Sequence, residues 1–358
     1  MNATEKLILS WLEDEESRFI YKKRLEYNEK HDFNAIQEIV DMYVPECKDT
    51  PYRPEQRLEL VEALRDKNKI IIFGAGTRGM RVLSLLQENG INVDCIVDND
   101  SEKWGRQLYG LEIEQPDKQN YRDTCCIISQ KNKKTISDVY KQLINLGAKD
   151  NNIFKYEDYN TYNFLEDKQY FDEKILKFEK SEVFIDAGVF DLHTSKEFIK
   201  RCENYNVENY KIYAFEPDKD SYRRCQGIQN ELTNADIQLY NCGLWSEDTT
   251  LYFVNNGTSS RITSEKMDNY IDVVSLDSCI KDNVTFIKMD IEGAELEALR
   301  GGTELIKKNK PKLAISIYHK KEDLTEIPLL IKKLVPEYKL YIRHYSNVEA
   351  ETVLYAVI

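Results

Sequence analysis

The sequence predicts an α/β protein built from two doubly wound, mainly parallel sheets, with a helical segment at the N-terminus. Two observations lead to this prediction. Short apolar runs alternate with helix-sized amphipathic segments, which is the pattern of parallel sheets covered by helices. The alternation starts twice, at Ile70 and again at Val183, and a chain of 358 residues is long enough for two or three domains.

Residues 1–66 are predicted to be helical. Apolar residues recur there at helical spacing, first at Ile8, Trp11 and Leu12 and later at Ile36 and Ile39. This segment carries no residue pattern that is typical of a catalytic or binding site. We therefore interpret it as a packing or dimerising element, and we expect a homo-oligomer to form through it.

The first α/β domain is predicted over residues 67–158. Its strands and helices are predicted at Ile70–Phe73, Met80–Asn89, Val93–Val97, Cys125–Ser129 and Ile136–Leu146. Residues 159–180 follow, rich in Asn, Tyr, Asp and Glu, and we interpret them as a linker with a short helix near Phe171–Phe178.

The second α/β domain is predicted over residues 181–358. Its strands are predicted at Val183–Ala187, Lys211–Phe215, Ile237–Tyr240, Thr285–Met289, Lys312–Ile317, Tyr338–Arg343 and Val353–Val357. Its helices are predicted at Ser195–Cys202, Lys219–Glu231, Ala294–Lys308 and Glu326–Leu334.

Composition excludes several classes of partner. The 63 acidic residues outnumber the 50 basic ones, and a net charge of −13 argues against a nucleic-acid partner held by its phosphates. No apolar run approaches the roughly 18–20 residues of a membrane span, and the first residues lack the features of a signal peptide. The eight cysteines form no Cys-x-x-Cys pair and the four histidines have no ligand spacing, so we expect free thiols, no metal site and a cytoplasmic protein.

A glycine-rich loop follows the first predicted strand. Gly74, Gly76 and Gly79 precede a helix, and Asp98 ends the next strand. This order is typical of a Rossmann-like dinucleotide fold, in which the glycines admit a pyrophosphate and the acid binds a ribose. The segment from Asp98 to Gly105 resembles small Rossmann-like domains of sugar- and polysaccharide-modifying proteins. The loop is therefore a candidate second nucleotide site, and a purely architectural role is the alternative.

Polar residues end four strands of the second domain. Asp186 and Gly188 follow the first strand, Glu216 the second, Asn241 and Cys242 the third, and Asp290 the fourth. Ligands of open α/β sheets bind beyond the carboxyl ends of the strands. The sequence therefore predicts a binding site at this edge.

The segment Thr285–Gly302, which contains IKMDIEGAELEALRGG, resembles the signature of the FkbM-type S-adenosylmethionine-dependent methyltransferases. The motifs Phe215-Glu216-Pro217 and Ser275-Leu276-Asp277 fall in the expected order, and the resemblance covers roughly residues 181–320. It implies a seven-stranded methyltransferase fold with S-adenosylmethionine over its first two strands.

The resemblance also implies roles for individual residues. Asp186 and Gly188 would meet the methionine end of the cofactor, Glu216 would bind the ribose hydroxyls, and Asn241 and Cys242 would flank the adenine. Together, Asp186 and Glu216 would grip the positively charged methyl donor. The family loop usually has a second glycine where this chain has Leu192, next to Asp191, an acid that some relatives share. A side chain there would narrow the approach to the cofactor.

An alcohol acceptor benefits from a general base beside the attacking oxygen. Asp290, Glu292 and His319 are the candidates, and His319 is the most attractive because imidazole titrates near neutrality. The structural alternatives are that the two acids cap a helix starting near Ala294 and that His319 is an exposed turn residue. Tyr318, near the predicted rim, is interpreted as an ordinary surface residue.

The leading hypothesis is an S-adenosylmethionine-dependent O-methyltransferase acting on a sugar, nucleotide-sugar or related small molecule. One alternative is an NAD- or nucleotide-sugar-dependent sugar-modifying enzyme that uses the Gly74–Gly79 loop. Another is a non-catalytic binding protein in which Leu192 has closed the cofactor loop.

Overall fold

The computed structural model describes residues 1–43, 56–108, 110–159, 168–232, 235–256, 259–263 and 270–358. The chain divides into two compact units. One comprises Met1–His31 together with Leu165–Ile358, and the other comprises Asp32–Phe164. The segment 1–66, predicted to be helical, is thus divided between the units. Its residues 44–55 and part of the expected linker 159–180 lie outside the described residues. Within the described residues, no helix has both the length and the apolar character needed to cross a membrane.

The unit formed by Asp32–Phe164 is an α/β sandwich around a six-stranded sheet. Its helices are α3 (Phe33–Tyr43), α4 (Gln56–Leu64), α5 (Thr77–Glu88) and α6 (Lys133–Asn145). Its strands are β1 (Ile70–Phe73), β2 (Cys95–Val97), β3 (Gln107–Leu108), β4 (Leu111–Glu114), β5 (Cys125–Ile128) and β6 (Ile153–Lys155). The strand order is β3-β4-β2-β1-β5-β6, and all neighbours are parallel except β3 and β4.

The central strand β1 explains why this sheet is covered on both faces. Alternate side chains point to opposite faces of a strand. Ile70 and Ile72 join a core cluster with α4 and α5, whereas Ile71 and Phe73 join another with α6. A strand with four buried apolar residues in a row is typical of a doubly wound parallel sheet.

The other unit contains the remaining elements. Its helices are α1 (Ala3–Trp11), α2 (Glu15–Lys30), α7 (His193–Asn204), α8 (Lys219–Glu231), α9 (Leu276–Cys279), α10 (Glu295–Gly301), α11 (Thr303–Asn309) and α12 (Asp323–Leu334). Its strands are β7 (Ser181–Ala187), β8 (Asn209–Phe215), β9 (Ile237–Tyr240), β10 (Gly243–Leu244), β11 (Thr249–Asn256), β12 (Ser259–Thr263), β13 (Tyr270–Val274), β14 (Phe286–Met289), β15 (Lys312–Ser316), β16 (Lys339–His344) and β17 (Thr352–Val357).

The main sheet of this unit has seven strands in the order β16-β17-β15-β14-β7-β8-β9. β17 is antiparallel to both of its neighbours, and the other strands run in one direction. The expected seven-stranded α/β sheet is therefore confirmed. A separate four-stranded sheet, β10-β13-β11-β12, was not predicted.

The first two helices pack against the edge strand β16. Leu12 forms a parallel bridge with Leu340, and the amide of Glu13 donates to the Leu340 carbonyl at 3.0 Å. Arg343, on β16, is almost fully buried and forms ion pairs with Asp14 of 2.7 Å, with Glu16 of 3.0 Å and with Asp172 of 3.3 Å. The amino end of the chain thereby covers one edge of the sheet.

One predicted helix is wrong, and another is divided into two. The segment Phe171–Phe178 forms turns rather than a helix, because the Asp172 carbonyl accepts from the amides of Ile175 and Leu176 while its carboxylate accepts from the amide of Lys174. The predicted helix Ala294–Lys308 is interrupted at Gly302 and forms α10 and α11 instead.

Candidate active site at the carboxyl edge of the seven-stranded sheet

The loop after β7 is held in an unusual backbone conformation. Gly188, Phe190 and Leu192 have φ angles of 80°, 47° and 58°. A Cβ atom at Gly188 would lie 1.9 Å from the Asp290 carbonyl oxygen, so only glycine fits there. The left-handed conformation costs the two non-glycine residues about 1–2 kcal/mol each. Strain of this kind concentrates at functional sites.

Leu192 keeps the left-handed backbone that a glycine would adopt without strain. Its side chain is fully buried. The neighbouring Asp191 is exposed, and its carboxylate accepts from the amide of His193 at 3.0 Å, at the start of α7. The isobutyl group therefore packs into the protein, and Asp191 serves the first turn of the helix.

Glu216 lies at the end of β8, beside this loop. Its Oε2 atom accepts from the amide of Phe190 at 2.9 Å, and its Oε1 atom accepts from the amide of Asp218 at 2.9 Å. Burial raises the pKa of Glu216, and the two backbone hydrogen bonds oppose this shift. A carboxylate oxygen accepts more than one hydrogen bond, so the group retains acceptor capacity for a diol.

The residues after β9 support the same turn. The side-chain amide of Asn241 donates to the carbonyls of Glu216 at 2.8 Å and Pro217 at 3.3 Å. Cys242 is buried and has a free thiol, whose pKa burial raises to about 11. Asn241 thus fixes the turn that carries Glu216.

Asp186 is fully buried at the end of β7. Its Oδ2 atom accepts from the Ser195 hydroxyl at 2.7 Å, and its Oδ1 atom lies 3.1 Å from the Lys288 ammonium. Lys288 was not among the predicted site residues. A charged residue inside the otherwise apolar strand β14 is the signal that could have found it, because a buried charge needs a partner.

Asp290 ends β14 and accepts hydrogen bonds from two tyrosines. Tyr170 donates to its Oδ2 atom at 2.7 Å, and Tyr318 donates to its Oδ1 atom at 3.0 Å. Burial alone would raise the pKa of Asp290. The charges of Lys288 and His319 and the two tyrosine hydroxyls nevertheless hold that pKa below its usual value. Tyr318 is therefore a site residue, and its interpretation as an ordinary surface residue is wrong.

His319 lies among three carboxylates. Its Nδ1 atom is 2.9 Å from Oε1 of Glu295, and its Nε2 atom is 3.5 Å from Oδ1 of Asp290 and 3.7 Å from Oε2 of Glu292. Burial alone would lower its pKa, but these acids raise the pKa of His319 to about 8. Both ring nitrogens face acids, which favours the protonated form of His319 near neutral pH.

This geometry contradicts both structural alternatives considered for the predicted catalytic residues. His319 is largely buried, so it is not an exposed turn residue. Ala294 holds the N-cap position of α10 without a side-chain cap, so neither Asp290 nor Glu292 caps that helix. Glu292 is exposed, with a φ angle of 56°.

Among the described residues, Asp290, Glu295 and His319 offer donor atoms that all lie within 4.8 Å of one another. This spacing suits a metal ion. The same atoms form the contacts between His319 and the acids, so a metal ion bound there would displace the proton of His319.

The glycine loop of the other unit has a different arrangement. The Oδ2 atom of Asp98 accepts from the amide of Ala75 at 2.7 Å and lies 3.1 Å from the Lys103 ammonium. A Cβ atom at Gly79 would lie 2.0 Å from the Gly74 carbonyl oxygen, whereas one at Gly76 would meet nothing within 4 Å. The Asp98 carboxylate thus accepts a hydrogen bond from the backbone of the glycine loop, with which it was predicted to form a nucleotide site. Gly79 allows the helix to pack closely against the strand.

Comparison with protein-family models gives two matches. Residues 186–341 match the methyltransferase FkbM domain, and residues 66–154 match the C2185-like N-terminal domain. The predicted resemblance to the FkbM methyltransferases is confirmed over residues 186–341, and the strand ends at Asp186, Glu216 and Asp290 all lie within the matched range. No curated protein matches the chain.

Solved structures resemble the chain at low sequence identity. The crystal structure of methyltransferase FkbM from Methylobacillus flagellatus KT is 20% identical, covers 91% of this chain and 100% of its own, and has a TM-score of 0.51. This likeness supports the fold of the FkbM domain and its surroundings. An rRNA methylase from Streptococcus thermophilus (12% identity, 50% of this chain, 86% of its own, TM-score 0.32) and fibrillarin from Aeropyrum pernix (10%, 53%, 73%, 0.30) are more distant.

Proposed function

We propose that this protein transfers the methyl group of S-adenosylmethionine to a hydroxyl group of a sugar, nucleotide-sugar or related small molecule. The observation that carries the proposal is the position of Glu216, a buried carboxylate held by two backbone amides beside a strained glycine loop. The methyltransferase FkbM domain supplies the reaction class. The hydroxyl acceptor and its sugar character rest on the resemblance of the sequence motifs.

The residues present fit the cofactor. A ribose diol needs two acceptors on one group, and Glu216 offers them in a largely desolvated position, where hydrogen bonds to a charged group are strong. Gly188 brings the backbone close to the end of β14 without a side chain in the way. The proposed cofactor-binding residues are Asp186, Gly188, Asp191, Glu216, Asn241 and Cys242.

Bound S-adenosylmethionine supplies a methyl group on a positively charged sulfur, which leaves by in-line displacement. The chain's part is to align the acceptor hydroxyl and to exclude water. Asp290, Glu292 and His319 are the proposed catalytic residues. They lie together after β14 and β15, at the same sheet edge as Glu216.

Within this group, Asp290 is the proposed proton acceptor. His319 carries a proton near neutral pH and therefore is not a base there, which revises its predicted role. A hydroxyl oxygen becomes strongly acidic as it gains the methyl group, so a carboxylate with a low pKa still takes its proton. Tyr170 and Tyr318 orient the Asp290 carboxylate, and His319 holds its charge in place.

The proposal is tested by titrating S-adenosylhomocysteine into the full chain in a calorimeter. We expect binding by the native protein and roughly 10–100-fold weaker binding by Glu216→Gln, because a charged hydrogen bond contributes about 1.5–3 kcal/mol. Glu208→Gln, at an exposed ion pair with Lys180, is the matched control and should bind like the native protein. An affinity unchanged by Glu216→Gln would refute the assignment.

The acceptor is tested separately. Methyl-labelled S-adenosylmethionine is incubated with free sugars, sugar phosphates and nucleotide-sugars, and labelled products are analysed by mass spectrometry and NMR. We expect a new O-methyl ether with at least one of these classes, and its loss with Asp290→Asn. Methylation of nitrogen or carbon instead would contradict the proposed hydroxyl acceptor.

A further inference from the structure

A buried lysine joins the ends of two central strands. Lys288 on β14 lies opposite Asp186 on β7, and only 2% of its side chain is exposed. Its ammonium lies 3.1 Å from Oδ1 of Asp186 and donates to the carbonyls of Ala187 at 3.0 Å and Gly188 at 2.9 Å. An ammonium has three donors. Two of them are donated to backbone carbonyls at the end of β7 and at the first residue of the glycine loop, and the positive charge faces the Asp186 carboxylate.

Stability alone does not account for this lysine. Removing two charges from water costs several kcal/mol per ion, and well-packed apolar residues in place of a buried pair are often as stable or more stable. The same unit has a comparable pair at the opposite, amino edge of the sheet, where the Lys312 ammonium lies 2.6 Å from Oε1 of the fully buried Glu182. That pair lies far from the strand ends that carry the candidate site, so it provides an internal reference.

The Lys288 ammonium also acts on the acids of the site. Its charge lowers the pKa of Asp290 and opposes the increase in the pKa of Glu216. It lies 5.2 Å from the centroid of the Tyr170 ring, whose hydroxyl donates to Asp290. The Lys288 ammonium thus contacts the backbone of the glycine loop and also lies near Tyr170, the hydrogen-bond donor to Asp290.

We propose that Lys288 is a positioning residue of the cofactor site, which fixes the start of the glycine loop through the Ala187 and Gly188 carbonyls. Asp186, proposed above as a cofactor-binding residue, then acts on the cofactor through this ammonium rather than by direct contact. The inference rests on the proposed function, because the site that Lys288 organises is the proposed cofactor site.

The test compares two charge-neutral double variants of the full chain. Lys288→Met combined with Asp186→Asn removes the pair at the carboxyl edge without leaving one charge buried alone. Lys312→Met combined with Glu182→Gln removes the reference pair. Circular dichroism and thermal unfolding report the fold, and calorimetry reports the affinity for S-adenosylhomocysteine between pH 5 and 8.

We expect the first double variant to bind S-adenosylhomocysteine at least 10-fold more weakly at pH 7, whereas the second binds like the native protein. We also expect the loss of affinity in acid to move to higher pH in the first variant. The charged and titratable groups that act on Asp290 and Glu216 in the native protein are Lys288, His319, Tyr170, Tyr318, Asp218 and Glu351. All except Lys288 remain in this variant. Because the variant also removes the charge of Asp186, Lys288→Gln, which keeps Asp186, is compared with it to assign the shift to the ammonium. If Lys288 had only a structural role, its replacement would change the unfolding temperature but not the pH dependence of the affinity.

Lys288→Gln provides a second test if the first double variant does not fold, because its amide keeps two donors and removes the charge. It should show the same shift of the acid profile. If the variants at Lys288 keep the native affinity and the native pH dependence, this inference is refuted and the proposed function is not affected. If the native protein itself does not bind S-adenosylhomocysteine, both the proposed function and the inference fail.

Discussion

The Nδ1 atom of His319 lies 2.9 Å from Oε1 of Glu295, a carboxylate that is fully buried. This pairing raises the pKa of His319 to about 8, above its ordinary value of 6.5. A group whose pKa is raised in the folded state stabilises the protein fully below its unfolded pKa, and that stability is lost as the pH rises through the folded pKa. The relevant window is therefore pH 6.5–8.

We expect the free energy of unfolding to fall by about 2 kcal/mol across this window, since one pKa unit corresponds to about 1.4 kcal/mol. Denaturant unfolding of the native protein and of His319→Gln at several pH values measures the effect. Burial raises the pKa of Glu351 to about 7, so it titrates in part of the same range, and the comparison is made between the two proteins. Equal slopes of stability against pH in both would contradict the pairing.

Gly188→Ala should abolish binding of S-adenosylhomocysteine and destabilise the fold. The added Cβ atom would lie 1.9 Å from the Asp290 carbonyl oxygen at a residue whose φ angle is 80°. Gly227→Ala is the control, because that glycine lies within α8 and its Cβ would meet nothing within 4 Å. A helical glycine changed to alanine gains roughly 0.5–1 kcal/mol. Calorimetry and thermal unfolding of both variants distinguish the two effects, and normal binding by Gly188→Ala would refute the close approach.

Leu192 combines a buried side chain with a strained backbone, and two substitutions separate these contributions. Leu192→Ala should lose about 2–5 kcal/mol of stability because it removes buried carbon atoms. Leu192→Gly should be more stable than Leu192→Ala by about 1 kcal/mol, since glycine adopts the φ angle of 58° without strain. Denaturant unfolding gives the order, and the reverse order would show that the backbone there is unstrained.

Arg343→Met should cost about 3–5 kcal/mol, because Asp172 would be left buried without its cation. Lys339→Met, at an exposed position on the same strand, should change stability by less than about 0.5 kcal/mol. Urea unfolding followed by circular dichroism measures both variants. A small effect at Arg343 would mean that α2 is held mainly by its apolar contacts.

The seven strands of the main sheet and the central strands β2, β1 and β5 of the six-stranded sheet could be predicted because their signals are local. β1, β9 and α8 begin and end at the predicted residues, and the strand ends at Asp186, Glu216 and Asp290 were identified from their positions after apolar runs. The helix predicted near Phe171–Phe178 is wrong because the local signal was misleading. Its apolar residues have helical spacing, but they fill space around a turn at Asp172, which depends on packing from elsewhere in the unit.

The partners of the site residues could not be predicted from the sequence. The pairing of Lys288 with Asp186 depends on the register between β7 and β14, which joins distant parts of the chain. Tyr170 reaches Asp290 from the segment expected to be a linker. The protonation of His319 depends on Glu295, which was not among the predicted site residues. The acids at the strand ends could be identified from the sequence. Their protonation could not, because it depends on neighbouring residues that only the fold brings together.

The bridge between Leu12 and Leu340 joins nearly the first and nearly the last elements of the chain. Closing so long a loop costs conformational entropy before any contact is gained, and contacts of high sequence separation slow folding. During synthesis, α1 and α2 therefore emerge from the ribosome long before β16, the strand against which they pack. We expect the amino-terminal helices to dock late in folding, after the strands they cover have already formed a sheet.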